Sequence, residues 1–351
     1  MRRMQTRKGR DASQARHRLR RLAMASAWGL WLLLLNAAAC SGNTPDGQAG
    51  PAAAAGSASA ALCSGRPGRL RGQSTQRLMV AGLDRSFIYY APTTLDPNTP
   101  APIVFVAHGH TMTADMMVDI TQFSELAERE KFIAIYPTGQ TGTNIRLDGP
   151  WNVGVGQNAC PTALGVAPVA TGDDQAFVDA MVSFADQDQC IDHDHVFMSG
   201  FSMGGYLSNE TGCQNPRVRA VAPHSGGSHD LTTCTNATKP VLIMHFDSDA
   251  MVPYTCGTQT RDRWVERNGC SAANPMVKPV TGGNCEYYQG CRPGGQVGMC
   301  TFMVPPGMRT ESAAGHAWSG GSKQGTGAGF AIPETQRATE LAWSFFKQYA
   351  Y

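Results

Sequence analysis

The stretch Val196-Phe-Met-Ser-Gly-Phe-Ser-Met-Gly-Gly205 decides how the rest of the chain is interpreted. Its apolar beginning predicts a buried strand from His195 to Met198, and a helical pattern follows its end. Between them, Gly200-Phe201-Ser202-Met203-Gly204 fits G-x-S-x-G, the strand–turn–helix motif that exposes a nucleophilic serine. The glycines avoid Cβ collisions in the sharp turn, and the helix N-terminus favours developing negative charge. A glycine- and serine-rich turn of no chemical importance is the alternative interpretation.

A serine nucleophile needs a base to take its proton and an acid to orient that base. In the α/β-hydrolase order the acid follows the serine and the histidine comes last. Asp249 is the best acid because it follows an apolar strand, at the rim where α/β active sites form; Asp247 is its rival, although an Asx turn explains that residue well. His316 lies in a loop of small residues and is the best base, with a surface loop histidine as the alternative. The sequence therefore predicts Ser202, Asp249 and His316 as a catalytic triad.

The oxyanion formed during attack needs backbone donors. The N–H of Met203, directly after the serine, is one predicted donor. The N–H of His110 is the other, because His108-Gly109-His110 ends the strand predicted at Pro102–Ala107. His-x-His also suggests a metal site, but no acidic or histidine partner follows at ligand spacing. We expect no metal and no cofactor.

Apolar runs alternate with helical patterns along the chain, which predicts an α/β fold with a mainly parallel sheet covered by helices on both faces. The near-continuous apolar runs are typical of strands buried on both sides. Strands are predicted at 85–91, 102–107, 132–136, 195–198, 218–222, 240–246 and 298–304. Helices are predicted at 123–131, 174–187, 257–268 and 333–349, the last with Pro333 at its start.

The N-terminal part of the chain does not belong to this fold. Residues 1–39 combine a basic region, a short apolar core and small residues, which predicts a secretory signal. Small residues before Cys40 favour lipoprotein-type cleavage with lipidation of that cysteine, and ordinary cleavage after an A-x-A triplet is the alternative. Residues 40–62 are rich in Ala, Gly and Ser and predict a flexible linker, which leaves residues 63–351 as the catalytic domain. We expect an extracellular or cell-envelope protein.

Net charge argues against a nucleic-acid partner. The whole chain carries a formal charge of +2, but residues 1–39 contribute +8, so the remainder carries −6. A mildly acidic chain without a basic patch is a poor nucleic-acid binder. Membrane association is expected only through a lipid at Cys40, and no sequence pattern predicts an oligomeric state.

The cysteine count fits export. Of the eleven cysteines, ten remain when Cys40 is set aside, an even number that predicts up to five disulfides. Zinc is the rival interpretation, but no C-x-x-C pair occurs. The sequence leaves the pairing open.

Three further features have ordinary structural interpretations. Asp173-Asp174 opens a predicted helix and is interpreted as a cap rather than as catalytic carboxylates. Trp151 and Trp318 flank the predicted site in sequence and are candidate substrate-binding walls of an acyl pocket, with core packing as the default for both.

A set of short landmarks lies along the chain in a fixed order: His108-Gly109, Tyr136-Pro137, Trp151-Asn152, Asp174–Met181, Cys190-Ile-Asp192, Gly200–Gly205, Asp249–Tyr254, Arg261–Cys270, Gly290-Cys291 and Gly315-His316. Taken as a set, these landmarks resemble those of secreted feruloyl esterases and the related polyhydroxybutyrate-depolymerase-like esterases. The resemblance covers roughly residues 75 to 350.

This resemblance implies an α/β-hydrolase with Ser202, Asp249 and His316 as its triad, and a disulfide between Cys270 and Cys291. It also implies a secreted serine esterase acting on hydroxycinnamate esters of plant cell-wall polysaccharide. Polyhydroxybutyrate and acetylated xylan are alternative substrates for the same triad. A non-catalytic carbohydrate-binding lipoprotein on a hydrolase scaffold is the alternative of another class.

The sequence departs from the family pattern at two positions. Phe246 stands where the family often has Gly after His245, and His110 replaces the residue more usual in the oxyanion loop. If His110 supplies only its backbone N–H, the second departure leaves the chemistry unchanged.

Overall fold

The computed structural model describes residues 63–140, 149–153, 160, 172–308, 315–324 and 328–349. The predicted signal segment, the linker and Cys40 lie outside these residues, as does most of the loop that follows Thr138.

Within the described residues, ten strands form one sheet. They are β1, Gly72–Val80; β2, Leu83–Ala91; β3, Ala101–Ala107; β4, Ile133–Pro137; β5, Ile191–Phe201; β6, Ala220–His224; β7, Val241–Phe246; β8, Ser271–Val280; β9, Gly283–Gln289; and β10, Val297–Phe302. Two short strands, β11, Trp318–Ser319, and β12, Ala331–Ile332, pair separately.

The centre of the sheet is parallel and its edges are antiparallel. The strand order is β1-β2-β4-β3-β5-β6-β7-β10-β9-β8. Neighbours from β4 through β10 run parallel, whereas β1, β2, β8 and β9 pair antiparallel with their neighbours. The carboxyl ends of parallel strands meet at one edge, so the turns after β3, β5 and β7 share a rim. This arrangement confirms the predicted α/β-hydrolase fold.

Helices cover both faces of the sheet. The α-helices are α1, Ala114–Thr121; α2, Phe123–Glu130; α3, Asp174–Asp188; α4, Met203–Gln214; α5, Tyr254–Asn268; and α6, Ala338–Phe346. Apolar residues of α3, α4 and α5 form one buried cluster with the sheet, and those of α1, α2 and α6 form another on the opposite face. No helix among the described residues is long and apolar enough to cross a bilayer.

Local sequence explains the central elements. Six of the seven residues of β3 are buried, as expected for a strand covered on both faces. Helix α3 buries its apolar residues at helical spacing. The Asp173 carboxylate accepts the N–H of Ala176 at 2.8 Å, which confirms this residue as an N-cap.

The structure corrects the start of the last helix. It begins at Ala338 rather than at Pro333. The preceding residues are held in a loop, because the Thr335 hydroxyl donates to the Ile332 carbonyl and accepts the N–H of Gly320. Tertiary contacts therefore override the proline signal in this segment.

Five disulfides cross-link the fold, as the cysteine count predicted. Cys270–Cys291 is the pair that the family resemblance implied. The others are Cys63–Cys190, Cys160–Cys256, Cys213–Cys234 and Cys285–Cys300. Such a density of disulfides is typical of proteins that fold in an oxidising compartment.

Candidate active site

Ser202 occupies a strained turn between β5 and α4. Its φ of 56° and ψ of −118° lie outside the regions that residues with side chains usually adopt. Ideal Cβ atoms would come within 2.4 Å of the Gly204 carbonyl oxygen if added at Gly200, and within 2.1 Å of the Ala107 carbonyl oxygen if added at Gly204. Both positions therefore require glycine. The turn sets the serine at the N-terminus of α4, half-buried at the rim of the sheet.

Asp249 lies in the loop after β7, on the same rim. Its side chain is fully buried. One carboxylate oxygen accepts the backbone N–H groups of Met251 and Val252 at 3.0 and 2.9 Å. The rival acid, Asp247, is exposed to solvent. Burial therefore favours Asp249 as the residue that can orient a base.

Electrostatics keep the Asp249 carboxyl ionised. Burial alone would raise its pKa, but hydrogen bonds from His245 and His316 outweigh burial and hold the pKa well below its usual range. A buried carboxylate held in its charged form can stabilise a positive charge that develops on a neighbouring imidazole.

His316 supplies that imidazole. Its Nδ1 lies 2.8 and 3.0 Å from the two carboxylate oxygens of Asp249, and the side chain is almost fully buried. Its ring packs against the ring of Phe201, the residue before Ser202, with centroids 4.8 Å apart. Since Asp249 accepts the Nδ1 proton, Nε2 is the atom suited to exchange a proton with the serine.

Gly315 explains how the segment 315–319 that carries His316 (the histidine loop) reaches the loop after β7 that carries Asp249 (the acid loop). Its φ is +89°, and a Cβ there would lie 2.8 Å from the Ser248 hydroxyl and 2.9 Å from the Asp249 nitrogen. The absence of a side chain lets the two backbones touch. The structure thus brings Asp249 and His316 together beside the turn that carries Ser202.

A further histidine, His224 at the end of β6, joins the serine turn to the histidine loop. Its carbonyl accepts the N–H of Ser202 at 2.9 Å, and its Nε2 accepts the N–H of Ser319 at 3.1 Å. Burial is the main cause that holds its pKa well below the usual value, so the ring stays neutral and Nε2 remains an acceptor. No sequence signal indicated this role, because the base is expected after the acid in the chain and His224 precedes Asp249.

The predicted oxyanion donors lie around the serine. Met203 is the first residue of α4, where helix geometry leaves N–H groups without an intrahelical acceptor. Gly109, in the loop after β3, comes so close that a Cβ there would be 3.0 Å from the Ser202 Cβ. His110 follows it directly and is half-buried. The loop after β3 that was predicted to supply the second donor therefore borders the serine. The assignment of the Met203 and His110 N–H groups as oxyanion donors stays a prediction.

The His108 ring holds that loop in place. Its Nε2 accepts the N–H of Gly139 at 2.9 Å, and its Nδ1 lies 2.7 Å from the Gly109 carbonyl oxygen, to which it donates. Burial lowers the pKa of His108 to about 4. Both ring nitrogens of His108 are thus occupied by hydrogen bonds to the backbone, which argues against a metal ligand at this position in the alternative His-x-His site. Among the residues that the structure describes, no three His, Cys, Asp or Glu side chains cluster to hold a metal ion.

The two candidate substrate-binding tryptophans are both buried. Trp151 is 1% exposed, donates its indole N–H to the His108 carbonyl at 2.8 Å and packs against the His108 ring. Trp318 is completely buried and donates to the Thr339 hydroxyl. Neither indole offers a free face to an acyl group, so core packing describes both tryptophans better than a substrate-binding role.

Asp174 has a role that the helix-cap interpretation did not foresee. It forms a buried ion pair with Arg85, 2.7 Å from the guanidinium, and accepts the N–H of Asn152. Arg85 also donates to the Thr138 carbonyl. These contacts anchor the segment that carries Trp151, and through it the loop that is predicted to supply the His110 donor.

Comparison with known proteins identifies relatives of this chain. The chain is 31% identical over 244 residues to "Feruloyl esterase D" of Neurospora crassa, covering 66% of this chain and 77% of that protein. It is 28% identical over 211 residues to "Probable feruloyl esterase C" of Aspergillus niger, covering 57% of this chain and 67% of that protein. Among solved structures, an acetyl xylan esterase from Aspergillus awamori has a TM-score of 0.49 at 18% identity, covering 65% of this chain and 92% of that one. No protein-family model matches the chain.

Proposed function

The chain belongs to the feruloyl esterase-like family of carboxylic ester hydrolases, within the α/β-hydrolase superfamily, and on that premise we propose that it cleaves hydroxycinnamate esters of plant cell-wall polysaccharide through an acyl-enzyme on Ser202. The observation that carries the mechanism is the buried His316–Asp249 pair beside the strained serine turn. The names of the relatives support the substrate class.

Acylation begins when His316 Nε2 removes the proton of the Ser202 hydroxyl as its oxygen attacks the ester carbonyl. The N–H groups of Met203 and His110 stabilise the oxyanion. When the tetrahedral intermediate collapses, the C–O bond to the sugar breaks, and His316 returns the proton to the leaving alkoxide. Asp249 stabilises the imidazolium that exists between the two transfers and stays ionised throughout.

Deacylation repeats these steps with water. His316 removes a proton from water, whose oxygen attacks the acyl carbonyl, and the same two N–H groups stabilise the second oxyanion. Collapse releases the carboxylic acid and returns the proton to Ser202. The chemistry needs no cofactor, because every proton and electron pair is supplied by the ester, water and these side chains.

Turnover by wild-type protein and by Ser202→Ala tests the mechanism. Purified protein is assayed on a small aryl ester and on methyl ferulate. We expect the variant to lose at least about a thousandfold in kcat, because the nucleophile is gone while the fold is kept. Circular dichroism of both proteins controls for folding. Equal turnover by a folded variant would refute the proposed function.

A panel of esters tests the substrate class separately. Feruloyl, acetyl and 3-hydroxybutyryl esters that share one leaving group are compared by kcat/KM, so that only the acyl group of the substrate differs. We expect the feruloyl ester to rank first. A preference for the acetyl or hydroxybutyryl ester would keep the mechanism and assign the chain to acetylated xylan or to polyhydroxybutyrate instead.

We extend the proposal to the whole chain. Residues 1–39 are a secretory signal, residues 40–62 a linker that starts at a lipidated Cys40, and residues 63–351 the catalytic domain at the cell envelope or outside the cell. Signal-like composition and five disulfides support this organisation. Mass spectrometry of the mature N-terminus of protein made in a bacterial host checks it. We expect a diacylglyceryl group on Cys40. An unmodified N-terminus at another residue would show ordinary signal cleavage without lipidation.

A further inference from the structure

A second histidine, His245, faces the candidate acid from inside the core. It is the next-to-last residue of β7, four positions before Asp249, and it is completely buried. Its Nε2 lies 2.8 Å from the Val252 carbonyl oxygen and 3.4 Å from a carboxylate oxygen of Asp249. The mechanism above assigns it no proton transfer.

The surroundings of the ring fix where its proton resides. Nδ1 of His245 has no hydrogen-bond partner among the residues that the structure describes. On that side the ring faces the backbone of α5, because a Cβ added at Gly257 would lie 2.7 Å from Nδ1 and 3.0 Å from Cγ. A proton on Nδ1 would be a buried donor without an acceptor, whereas Nε2 has two acceptors. The ring therefore donates through Nε2.

The two acceptors of Nε2 both belong to the acid loop. Val252 accepts from His245 with its carbonyl and donates its own N–H to Asp249 at 2.9 Å. Met251 donates to the same carboxylate oxygen at 3.0 Å. One buried ring thus contacts the carboxylate directly and also holds the backbone that supplies its other donors.

We propose that His245 is a positioning residue for the reaction, which keeps the Asp249 carboxylate aligned with His316 Nδ1 by fixing the loop from Asp249 to Val252. The inference rests on the proposed serine-esterase function. His245 donates one hydrogen bond, exchanges no proton with substrate and acts only through Asp249.

Two substitutions separate positioning from general support of the fold. His245→Gln keeps an amide N–H near the place of Nε2, whereas His245→Asn is too short to reach Val252. We expect His245→Asn to lower kcat per active site by roughly tenfold, the effect of one lost hydrogen bond, with KM changed by less than about twofold. His245→Gln is expected to recover most of that loss. Active sites are counted by fluorophosphonate labelling run to completion.

Gly257→Ala provides a variant that keeps every hydrogen-bonding side chain. Its methyl group would press on the His245 ring and should also lower kcat per active site. The matched control is His229→Gln, because His229 is another buried histidine but pairs with Glu210 at 2.8 Å rather than with the acid loop. We expect this control to keep the wild-type kcat.

Ser202→Ala, measured in the same series, distinguishes the two possible failures. If Ser202→Ala is as active as wild type, the proposed function is wrong. If Ser202→Ala is inactive but His245→Asn keeps the wild-type kcat per active site, the function stands and the positioning role is wrong. An equal loss in His245→Asn and His245→Gln would also overturn the role, because a retained donor would then have no effect.

Discussion

Asp249 is the residue on which the electrostatics of the site depend. Its buried carboxylate accepts from Met251, Val252 and His316, with His245 at the edge of hydrogen-bonding distance. These donors replace the water that burial removes, so the carboxylate stays charged inside the protein. The charge lies where it can stabilise a protonated His316, which is what a general base needs.

Asp249→Asn tests this role. The amide keeps the size of the side chain but removes the charge and favours the wrong tautomer of His316. We expect kcat/KM to fall roughly a thousandfold to ten-thousandfold. Asp247→Asn is the matched control, since Asp247 is exposed and should be replaceable without loss. The reverse pattern, measured as ester turnover, would make Asp247 the acid.

The sequence predicted Ser202, Asp249 and His316 because motif, order and position after apolar strands are local signals. His224 and His245 gave no such signal, since each lies at the end of an apolar strand like any core residue. Their partners are set by the tertiary structure: His224 binds Ser319, which is 95 positions away. Only the assembled sheet brings both rings into contact with loops of the candidate site.

Among the elements, the close contact of α4 with the end of β3 decides the geometry of the serine turn. Gly204 lies in the first turn of α4, against the carbonyl groups of Ala107 and His108. The contact also joins the serine turn to the loop that supplies the predicted His110 donor. The spacing between the two predicted oxyanion donors therefore depends on the absence of a side chain at Gly204.

Gly204→Ala is expected to destabilise the fold by about 3 kcal/mol or more, because its Cβ would lie 2.1 Å from a backbone oxygen that cannot move alone. The measurement is the free energy of unfolding from urea denaturation. Gly290→Ala is the control: it has a positive φ of +69° but no atom within 4 Å of the added Cβ, so backbone strain alone should cost about 1 to 2 kcal/mol. Equal costs would show that the collision at Gly204 is relieved.

Element boundaries were less predictable than the existence of the elements. The buried parallel strands and helix α3 have strong periodic patterns and were found. The antiparallel edge elements β1, β8 and β9 and helix α1 were not predicted. Strand β8 is almost entirely exposed, so it lacks the apolar pattern that marks a buried strand. Pairing with neighbours, rather than its own composition, makes it a strand.

For the whole molecule, two buried clusters on opposite faces of one sheet and five disulfides hold the rim together. The core encloses histidines that are neutral in the folded state, with His108 and His224 completely buried. Each must gain a proton when the chain unfolds in mild acid. A lower pH therefore reduces the stability of the whole fold, because these rings are protonated more readily in the unfolded state.

The stability of the protein should fall as the pH drops from about 6.5 to 4. In that window the unfolded His108 binds a proton that the folded protein, with a pKa of about 4, does not bind. Proton binding to this ring in the unfolded state therefore lowers the free energy of unfolding, by about 3 kcal/mol at the lower end of the window. Urea denaturation at several pH values gives the slope. His108→Asn should show a shallower slope than wild type, and identical slopes would contradict the prediction.

We propose that Ser202, His316 and Asp249 act as one unit on the rim of the sheet. Peptide mass spectrometry after timed labelling with a fluorophosphonate is the decisive experiment, because the probe reacts fastest with an activated serine. We predict a single adduct on the Ser202 peptide of wild type, and labelling slowed at least about a hundredfold in folded His316→Ala. A wild-type protein that stays unlabelled at Ser202, or a His316→Ala variant labelled as fast as wild type, would rule out this triad.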